Sequence, residues 1–282
     1  MDGIVLINKP IGITTYDVVR RAKKVFKTKK IGHTGTLDPF ASGLVILCIN
    51  KATKLVTNLI LSDKTYEGTI LFNHFYDTYD FTGKLLEERN EYIDLDEVKT
   101  ASKSFIGKYM QMPPKYSAIR VDGKRLYEYA RENKEVKINK REVEIYDFDI
   151  LDKLNKNEIT FKTHVSKGTY IRSLAFDLAK SIDKIATLSS LTRTKIDKYM
   201  LKDAYNFDDF TKDSLITIEE IYNNHQKVVL NDYLIKLVKN GIYLDERQIK
   251  TDEDFLVYDT NNNLVALYQV IDKFKYKPLI IF

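Results

Sequence analysis

Residues 31–44 read Ile-Gly-His-Thr-Gly-Thr-Leu-Asp-Pro-Phe-Ala-Ser-Gly-Leu, and this segment is the most informative one in the 282-residue chain. Its glycines allow tight turns and a close approach of a ligand to the backbone. Pro39 restricts Asp38 to an extended backbone conformation, so the carboxylate projects from a stiff point. Asp-Pro by itself is an ordinary turn signal. The segment therefore predicts a loop over residues 31–43 that presents Asp38 to a ligand.

A basic segment leads into this loop. No acidic residue occurs between Val18 and Leu37, and the basic residues there are Arg20, Arg21, Lys23, Lys24, Lys27, Lys29 and Lys30. The whole chain is only mildly basic, with 45 Lys and Arg against 40 Asp and Glu. A local excess of this kind is typical of a solvated helix face or of a surface that binds a negatively charged polymer. Both interpretations stay open from composition alone.

Hydrophobic periodicity predicts secondary structure on both sides of the loop. We expect strands at residues 3–8, 44–49, 66–72, 142–150 and 158–165, and helices at 18–26, at 94–106 and from Arg172 onward. Residues 107–140 are less regular and mix basic with aromatic side chains. Beyond residue 226 we expect a helix near 234–238, a hairpin of 255–258 with 264–270, and a closing strand at 278–282. We predict two domains, residues 1–226 and 227–282.

The composition excludes several classes of protein. Cys48 is the only cysteine, so no intrachain disulfide can form, and we expect a reducing compartment. The four histidines lie far apart in the sequence, and no metal-ligand spacing occurs, so we predict no metal site. No segment approaches the ~20 apolar residues of a membrane span, and residues 1–10 do not resemble a signal peptide. We therefore expect a cytoplasmic protein without membrane contact.

The string from Gly32 to Gly43 resembles the catalytic motif of the TruB family of tRNA pseudouridine synthases. Further segments resemble other motifs of that family, in the family's order: residues 3–20, 64–66, 77–83, 113–129, 166–172 and 191–193. The resemblance covers nearly the whole chain. It implies an α+β pseudouridine synthase fold, with a mixed, mostly antiparallel sheet, flanking helices and RNA in a central cleft. It also implies an RNA-gripping insertion at about 107–140 and a reduced PUA-like β domain at the C-terminus.

The resemblance implies an isomerase that converts uridine 55 in the T-loop of tRNA to pseudouridine. The family reaction breaks the bond between C1′ of the ribose and N1 of uracil, rotates the base and joins C5 to C1′, without a cofactor or a metal. The target lies inside a folded T-loop, so it must be flipped out at a cost on the order of a few kcal/mol. The implied partner is tRNA, through its T-loop and T-stem.

The resemblance also implies roles for individual residues. Asp38 acts as nucleophile or base, and both roles stay open. Arg172 is the fixed cation expected beside it, since a carboxylate in a closed pocket is otherwise pushed towards its neutral form. Tyr66 stacks on the flipped uracil, and its phenol helps to remove the C5 proton. Further residues are expected at the substrate: His33, Lys9, Tyr170, Leu191, Gly32, Thr34 and Gly35. RNA phosphates are expected to contact Arg20, Lys23, Lys24, Lys115, Arg120, Lys124 and Arg125.

Four residues outside the catalytic string depart from the family pattern, and one of them, Thr15 in place of a common serine, is a mild change. Asn50 and Asn73 stand where the family usually has glycine, and Tyr76 stands where it usually has threonine. These departures concern local loop geometry and leave the expected catalytic residues unchanged.

Two alternative functions stay open. A tRNA-folding chaperone would bind and release the T-loop, with catalysis secondary or lost. A guide-RNA-dependent pseudouridine synthase would share the catalytic motif, but such proteins usually have extra N-terminal residues and a full PUA domain. This chain starts almost at its first motif and has a short C-terminal part. We therefore expect a stand-alone monomer that needs no protein partner.

Overall fold

The computed structural model describes residues 1–132 and 134–282. Its strands, in chain order, are β1 (Gly3–Lys9), β2 (Ile31–His33), β3 (Ser42–Ile49), β4 (Lys64–Phe72), β5 (His74–Tyr76), β6 (Leu85–Glu88), β7 (Gly107–Gln111), β8 (Arg120–Val121), β9 (Lys124–Arg125), β10 (Arg141–Lys153), β11 (Glu158–Val165), β12 (Ala186–Ile196), β13 (Tyr199–Met200), β14 (Tyr205–Asn206), β15 (Ile216–Thr217), β16 (Gln226–Val229), β17 (Leu244–Asp245), β18 (Phe255–Tyr258), β19 (Leu264–Asp272) and β20 (Lys275–Ile281).

Seven helices occur in the described residues. They are α1 (Thr15–Val25), α2 (Val56–Leu61), α3 (Leu95–Lys103), α4 (Leu126–Arg131), α5 (Ile171–Ser181), α6 (Ile218–Ile221) and α7 (Asp232–Lys239). Short 3-10 turns occupy Asn50–Leu55, Leu201–Asp203 and Lys212–Ser214. No helix in the described part of the chain is both long enough and apolar enough to cross a lipid bilayer.

The main sheet has the strand order β14-β1-β3-β12-β4-β11-β10-β7, with β2, β13 and β15 paired at its sides. Most neighbouring strands run antiparallel, whereas β1 with β14 and β3 with β12 are parallel. The mixed, mostly antiparallel sheet with flanking helices is therefore confirmed, as is the α+β class.

Strand β3 shows why its sequence is a continuous apolar run. Alternate side chains of a strand point to opposite faces of the sheet. On one face Val45 and Leu47 belong to the core that includes α1 and α5. On the other face Ile46 and Cys48 belong to a second core, which includes residues of β18 and β19. Both faces are therefore dry, and burial raises the pKa of the Cys48 thiol to about 12.

The start of α1 is tied to the loop that bears Asp38. Thr14 caps the helix, because its side chain accepts a hydrogen bond from Asp17 N–H while the Asp17 carboxylate accepts from Thr14 N–H. The neighbouring Thr15 is buried, and its hydroxyl accepts from the N–H of Leu37 at 2.9 Å. Leu37 directly precedes Asp38, so the helix cap and the catalytic string are positioned by adjacent threonines.

Two predictions from sequence periodicity are wrong at their ends. The loop predicted over 31–43 is shorter, because Ile31–His33 and Ser42–Gly43 are in strands. Strand β12 pairs with β3 only at Ser42 and Gly43, near the start of β3. β2 pairs with the other end of β3, from Leu47 to Ile49. The irregular segment predicted from 107 also begins later, since Gly107–Gln111 pairs with β10 as the edge strand of the main sheet. Such long-range pairing is not visible in local periodicity.

The second sheet has the order β16-β18-β19-β20-β17 and packs with α7. The hairpin predicted from 255–258 and 264–270 is present as β18 and β19, and the closing strand runs from Lys275 to Ile281. This strand-rich unit agrees with the PUA-like domain expected at the C-terminus. The division into domains 1–226 and 227–282 stays a prediction, and a shared core that includes Leu6, Ile46, Leu256 and Leu267 joins the two sheets.

The two asparagines that depart from the family pattern keep a glycine-like backbone. Asn50 has φ 52° and Asn73 has φ 65°, which is the left-handed region that glycine adopts freely. Asparagine is among the few other residues that enter this region often. Asn73 is also buried and donates to the carbonyl of Glu91 at 3.0 Å. The departures therefore preserve the local turn geometry. Tyr76, another departure, lies half-buried in β5.

Candidate active site

Asp38 and Arg172 form a two-point ion pair. Nε of Arg172 lies 3.0 Å from Oδ2 of Asp38, and Nη2 lies 3.3 Å from Oδ1. Asp38 comes from the loop before β3, and Arg172 comes from the first turn of α5. The planar fork of a guanidinium matches the two oxygens of a carboxylate, which fixes orientation as well as distance. The structure thus brings together the two charged residues that the sequence analysis paired.

A second carboxylate, that of Asp80, holds Arg172 from the other side. Nη1 of Arg172 lies 3.2 Å from Oδ2 of Asp80, and the arginine also donates to the carbonyls of Thr78 and Tyr116, each at 2.9 Å. The side chains of Arg172 and Asp80 are each 5% exposed, whereas that of Asp38 is 36% exposed. Asp80 is therefore the buried anchor of the arrangement, and Asp38 is its open end.

No role was predicted for Asp80 from the sequence. The residue lies in the segment 77–83, which was recognised only as a motif. The short spacing Asp77-Thr-Tyr-Asp80 was the available signal, because an acidic residue can serve as the counter-ion of a buried arginine. Which of the two acids faces Arg172 depends on the turn conformation: Asp80 Oδ1 accepts from Thr82 N–H, while Asp77 accepts from Lys84 N–H.

The ionisation of Asp38 is set by opposing influences. Burial raises the pKa of its carboxyl above the ordinary value, Arg172 lowers it and Asp80 raises it again. The cleft surrounds the carboxylate while leaving part of it open to solvent. An ionised Asp38 is needed for either nucleophilic or base chemistry. The ion pair with Arg172 is therefore the main feature that favours the reactive form.

Asp38 and Arg172 lie in the wall of a cavity of about 300 Å³, a size at the low end of ligand sites. Tyr66 of β4 and Leu191 of β12 contribute to the lining from two paired strands. Thr34 also lines the cavity and is fully buried, yet its hydroxyl has no hydrogen-bond partner among residues 1–132 and 134–282.

Gly43 allows the strands beneath the cavity to come together. Its backbone has φ 110°, and an added Cβ would lie 2.4 Å from the carbonyl oxygen of Arg193. Neither the conformation nor the distance is compatible with a larger residue. β3 and β12 can therefore pair closely at the point where the Asp38 loop ends. This glycine thus has a structural role in the recognised string.

Arg193 connects the two ends of the same loop. It is 1% exposed, and its Nε donates to the carbonyl of Leu44 at 2.8 Å while Nη2 donates to that of Gly35 at 3.1 Å. The sequence analysis noted segment 191–193 but assigned only Leu191. A buried arginine that bonds backbone carbonyls on both sides of the Asp38 loop holds that loop in place.

Lys9 is also fully buried and positions the segment before α1. Its Nζ donates to the carbonyls of Pro10 at 2.8 Å and Ile13 at 2.9 Å. Burial lowers the pKa of Lys9 to about 8, while Asp38 partly opposes this shift. Lys9 was expected at the substrate, but it does not line the cavity, and its contacts hold the segment before α1 instead.

Comparison with known proteins places this chain in a family. Residues 23–171 match the model of the TruB family pseudouridylate synthase N-terminal domain. Over 279 residues the chain is 46% identical to tRNA pseudouridine synthase B of Onion yellows phytoplasma (strain OY-M), covering 99% of each. Over 277 residues it is 45% identical to the protein of the same name from Acholeplasma laidlawii (strain PG-8A), covering 98% of each. The chain belongs to the TruB family.

Solved structures support the fold. The chain superposes with a TM-score of 0.68 on a chain from an H/ACA RNP bound to a substrate RNA containing 2′-deoxyuridine, at 21% identity, covering 99% of this chain and 84% of the other. A chain of a Cbf5-Nop10-Gar1 complex gives the same TM-score at 22% identity, with coverage of 99% and 83%. At such identities the likeness shows the pseudouridine synthase fold alone.

Not every residue expected at the TruB-family site faces the cavity. Thr34, Gly35 and Tyr170 line it together with Asp38, Tyr66, Arg172 and Leu191, whereas Lys9, Gly32 and His33 do not. Gly32 packs on Val56, whose Cγ2 would lie 2.6 Å from an added Cβ. His33 accepts from Gly35 N–H through Nδ1 at 3.3 Å, and burial lowers the pKa of its ring. A contact of His33 with the substrate would therefore be made outside the cavity.

The basic residues expected to contact RNA lie on two surfaces. On α1, Arg20 and Lys24 are exposed and Lys23 is partly so. On the insertion, Lys115, Arg120 and Arg125 are exposed and Lys124 is partly so. Lys115 also lines a larger cavity, of about 690 Å³, between the insertion and the β5–β6 hairpin. The contacts of these residues with RNA stay a prediction.

Among residues 1–132 and 134–282, no group of three or more His, Cys, Asp and Glu side chains is arranged to hold a metal ion. The polar side chains that line the described site can bind, orient and exchange protons: a carboxylate, two guanidinium groups, an ammonium group, two phenols and several hydroxyls.

Proposed function

We propose that this TruB-family chain converts uridine 55 in the T-loop of tRNA to pseudouridine. The relatives at 34–46% identity are named tRNA pseudouridine synthase B. The observation that supports the proposal most directly is the Asp38 carboxylate, oriented by Arg172 at the wall of a cavity lined by Tyr66 and Leu191. That arrangement offers a reactive carboxylate beside a space bounded by a flat ring and an aliphatic wall.

The proposed chemistry needs only these side chains. Ionised Asp38 either adds to C1′ or removes a proton from the ribose 2′ carbon. In both routes the electron pair of the C1′–N1 bond passes to the uracil. The uracil then rotates between Tyr66 and Leu191. As C5 bonds to C1′, the Asp38–C1′ bond breaks or Asp38 returns the proton to C2′, and the C5 proton then leaves with help from the Tyr66 phenol. Arg172 acts by keeping Asp38 charged and oriented.

Access to the base requires flipping, and the two basic surfaces supply binding energy for it. Phosphate contacts from exposed Lys and Arg fix the register of the RNA and contribute most of the salt-dependent affinity. Extrusion of a stacked base costs on the order of a few kcal/mol. We propose that α1 and the insertion grip the T-stem and T-loop on either side of the cavity, and that the protein works as a monomer in the cytoplasm.

The test uses unmodified tRNA transcript that carries tritium at uracil C5. Wild type should release one equivalent of tritium per tRNA, and Asp38→Asn should release none. Carbodiimide-dependent primer extension should then show a single stop in the T-loop of the wild-type product. Tight tRNA binding without tritium release from wild type would overturn the proposal and favour a tRNA-folding chaperone.

The same assay addresses the guide-RNA alternative. The purified chain should modify the transcript with no other RNA and no protein present. Activity that appears only after a complementary guide RNA is added would show that the chain is guide-dependent. A separate folding assay with Asp38→Asn would reveal a chaperone activity that coexists with catalysis.

A further inference from the structure

Two buried cations of the cavity have no acidic partner among residues 1–132 and 134–282. Lys64 is 7% exposed and Arg193 is 1% exposed, and no carboxylate oxygen in that part of the chain lies within 4.0 Å of either charged group. Arg172, in contrast, forms ion pairs with both Asp38 and Asp80. A buried charge without a counter-ion costs several kcal/mol, on the order of the values for broken buried pairs. Lys64 and Arg193 therefore give the cavity a positive charge that no neighbouring carboxylate compensates.

Neither cation is saturated by the backbone groups that hold it. Nζ of Lys64 donates to the carbonyls of Ile60 and Ser62, which uses two of the three ammonium protons. Arg193 uses Nε and Nη2 on carbonyls, and Nη1 makes no hydrogen bond among the described residues. Each cation therefore retains donor capacity, and both side chains line the cavity.

Strand geometry places these cations beside the surface expected to hold the base. Lys64 and Tyr66 are two residues apart on β4, so their side chains point to the same face. On β12, Arg193 is the Cα partner of Tyr66, and Leu191 is the partner of Gly68. The floor of the cavity is thus an aromatic ring and an aliphatic side chain, with two cations at its edge. An RNA phosphate would be expected at the rim of the cavity. A base stacked on this floor would instead have its polar edge beside the two cations.

We propose that Lys64 and Arg193 stabilise the negative charge that uracil acquires when its bond to C1′ breaks. The inference rests on the proposed function, which requires that bond to break. The pair of electrons from C1′–N1 is then spread over N1, O2 and O4 of the ring. C1′ gains a bond to the Asp38 carboxylate or a double bond to C2′ after proton loss. When C5 joins C1′, the electron pair of the uracil enters the new bond, while Asp38 leaves C1′ or returns the proton to C2′. The C5 proton then leaves, so the cations act only while the base is free.

The surroundings of Lys64 support this assignment. Burial lowers its pKa to about 8, Arg193 lowers it further, and Asp63 and Asp197 oppose the shift from a distance. The ammonium form thus still prevails at neutral pH. Fixed donors aimed at developing charge in a closed site are among the strongest catalytic contributions, at about 10²–10³ in rate for one donor.

The experiment varies the charge on Lys64 and the stability of the leaving base together. Lys64→Met removes the cation at similar length, Lys64→Gln removes it but keeps a donor for a backbone carbonyl, and Lys64→Arg keeps the cation. Each full-length variant is mixed in excess with tRNA containing uridine or 5-fluorouridine at the target. Conversion to the C-glycoside is followed by nuclease digestion and chromatography. 5-Fluorouridine has no C5 proton to lose, so its C-glycoside keeps fluorine at C5 and takes up water at C6. Binding of tRNA and the melting temperature are measured separately.

We expect Lys64→Met and Lys64→Gln to slow the uridine reaction by about 100-fold, with unchanged tRNA affinity. The loss should be clearly smaller with 5-fluorouridine, because fluorine stabilises the free base anion, and Lys64→Arg should recover most of the rate. Equal losses with both substrates would overturn the proposal in favour of a structural role. Weaker tRNA binding with an unchanged rate at saturation would overturn it in favour of a phosphate contact. Wild-type conversion of both substrates tests the proposed function separately.

Discussion

The guanidinium of Arg172 joins two carboxylates of different exposure, and its contact with Asp38 is the open one. Nε of Arg172 stands 3.0 Å from Oδ2 of Asp38, whose side chain is 36% exposed, while the Asp80 side chain on the far side is 5% exposed. The buried contact fixes the arginine, and the arginine presents Asp38 to the cavity. Asp80 thus holds Arg172 in place, and Arg172 in turn orients Asp38.

Asp80→Asn should reduce catalysis without weakening tRNA binding. The change keeps the shape but removes one charge that holds Arg172, and displaced catalytic groups can cost about 10²-fold in rate. We expect a fall of about 10- to 100-fold in single-turnover rate. Asp77→Asn is the matched control, since Asp77 lies in the same turn and makes no contact with Arg172. Equal losses in the two variants would contradict the anchoring role of Asp80.

The acidic limb of the pH–rate profile should report the ionisation of Asp38. Burial raises the pKa of this carboxyl, so activity should be lost at a higher pH than for an ordinary aspartate as the solution is acidified. Arg172 lowers that pKa, so Arg172→Met should move the loss to still higher pH. Asp80 raises it, so Asp80→Asn should move the loss to lower pH. Single-turnover rates are measured across the acidic pH range for wild type and both variants. If the pH at which activity is lost moved in the same direction in both variants, the opposite effects of Arg172 and Asp80 on the pKa of Asp38 would be contradicted.

Gly43→Ala should destabilise the fold. The residue has φ 110°, and the new Cβ would meet the Arg193 carbonyl oxygen at 2.4 Å. Strain and clash together should lower the free energy of unfolding by more than about 2 kcal/mol. Gly123→Ala is the control, because Gly123 also has positive φ (82°) but no atom within 4 Å of an added Cβ. Its cost should stay near about 1 kcal/mol. Urea unfolding compares the two, and equal losses would rule out the contact with Arg193 as the cause.

Removing an exposed lysine from α1 should weaken RNA binding through salt-dependent contacts. For Lys24→Ala we expect lower tRNA affinity, and a fall in the slope of log affinity against log salt of about 1. The rate at saturating tRNA should stay unchanged, since Lys24 lies outside the cavity. Lys103→Ala on α3 is the control, because this exposed lysine pairs with Asp149 and lies outside both predicted RNA surfaces. Identical salt slopes for Lys24→Ala and wild type would argue against an RNA contact.

The sequence predicted the elements whose periodicity is local. β3 is recognisable because both of its faces are buried, and α1 because a capping threonine precedes an amphipathic run. The hairpin of β18 and β19 is predicted by two apolar segments around a turn. Element ends were less well predicted, because β2 and β7 exist only through pairing with distant strands.

The sequence by itself also determined the family, and with it Asp38, Tyr66 and Arg172 as candidates, because the motif around Asp38 is long and specific. Only the tertiary structure decided how these residues meet. Asp38 and Arg172 are separated by 134 positions, and the roles of Asp80, Arg193 and Lys64 appear only when β4, β12 and α5 enclose one cavity. The physical reason is that burial and charge pairing depend on distances in space, which local sequence patterns do not contain.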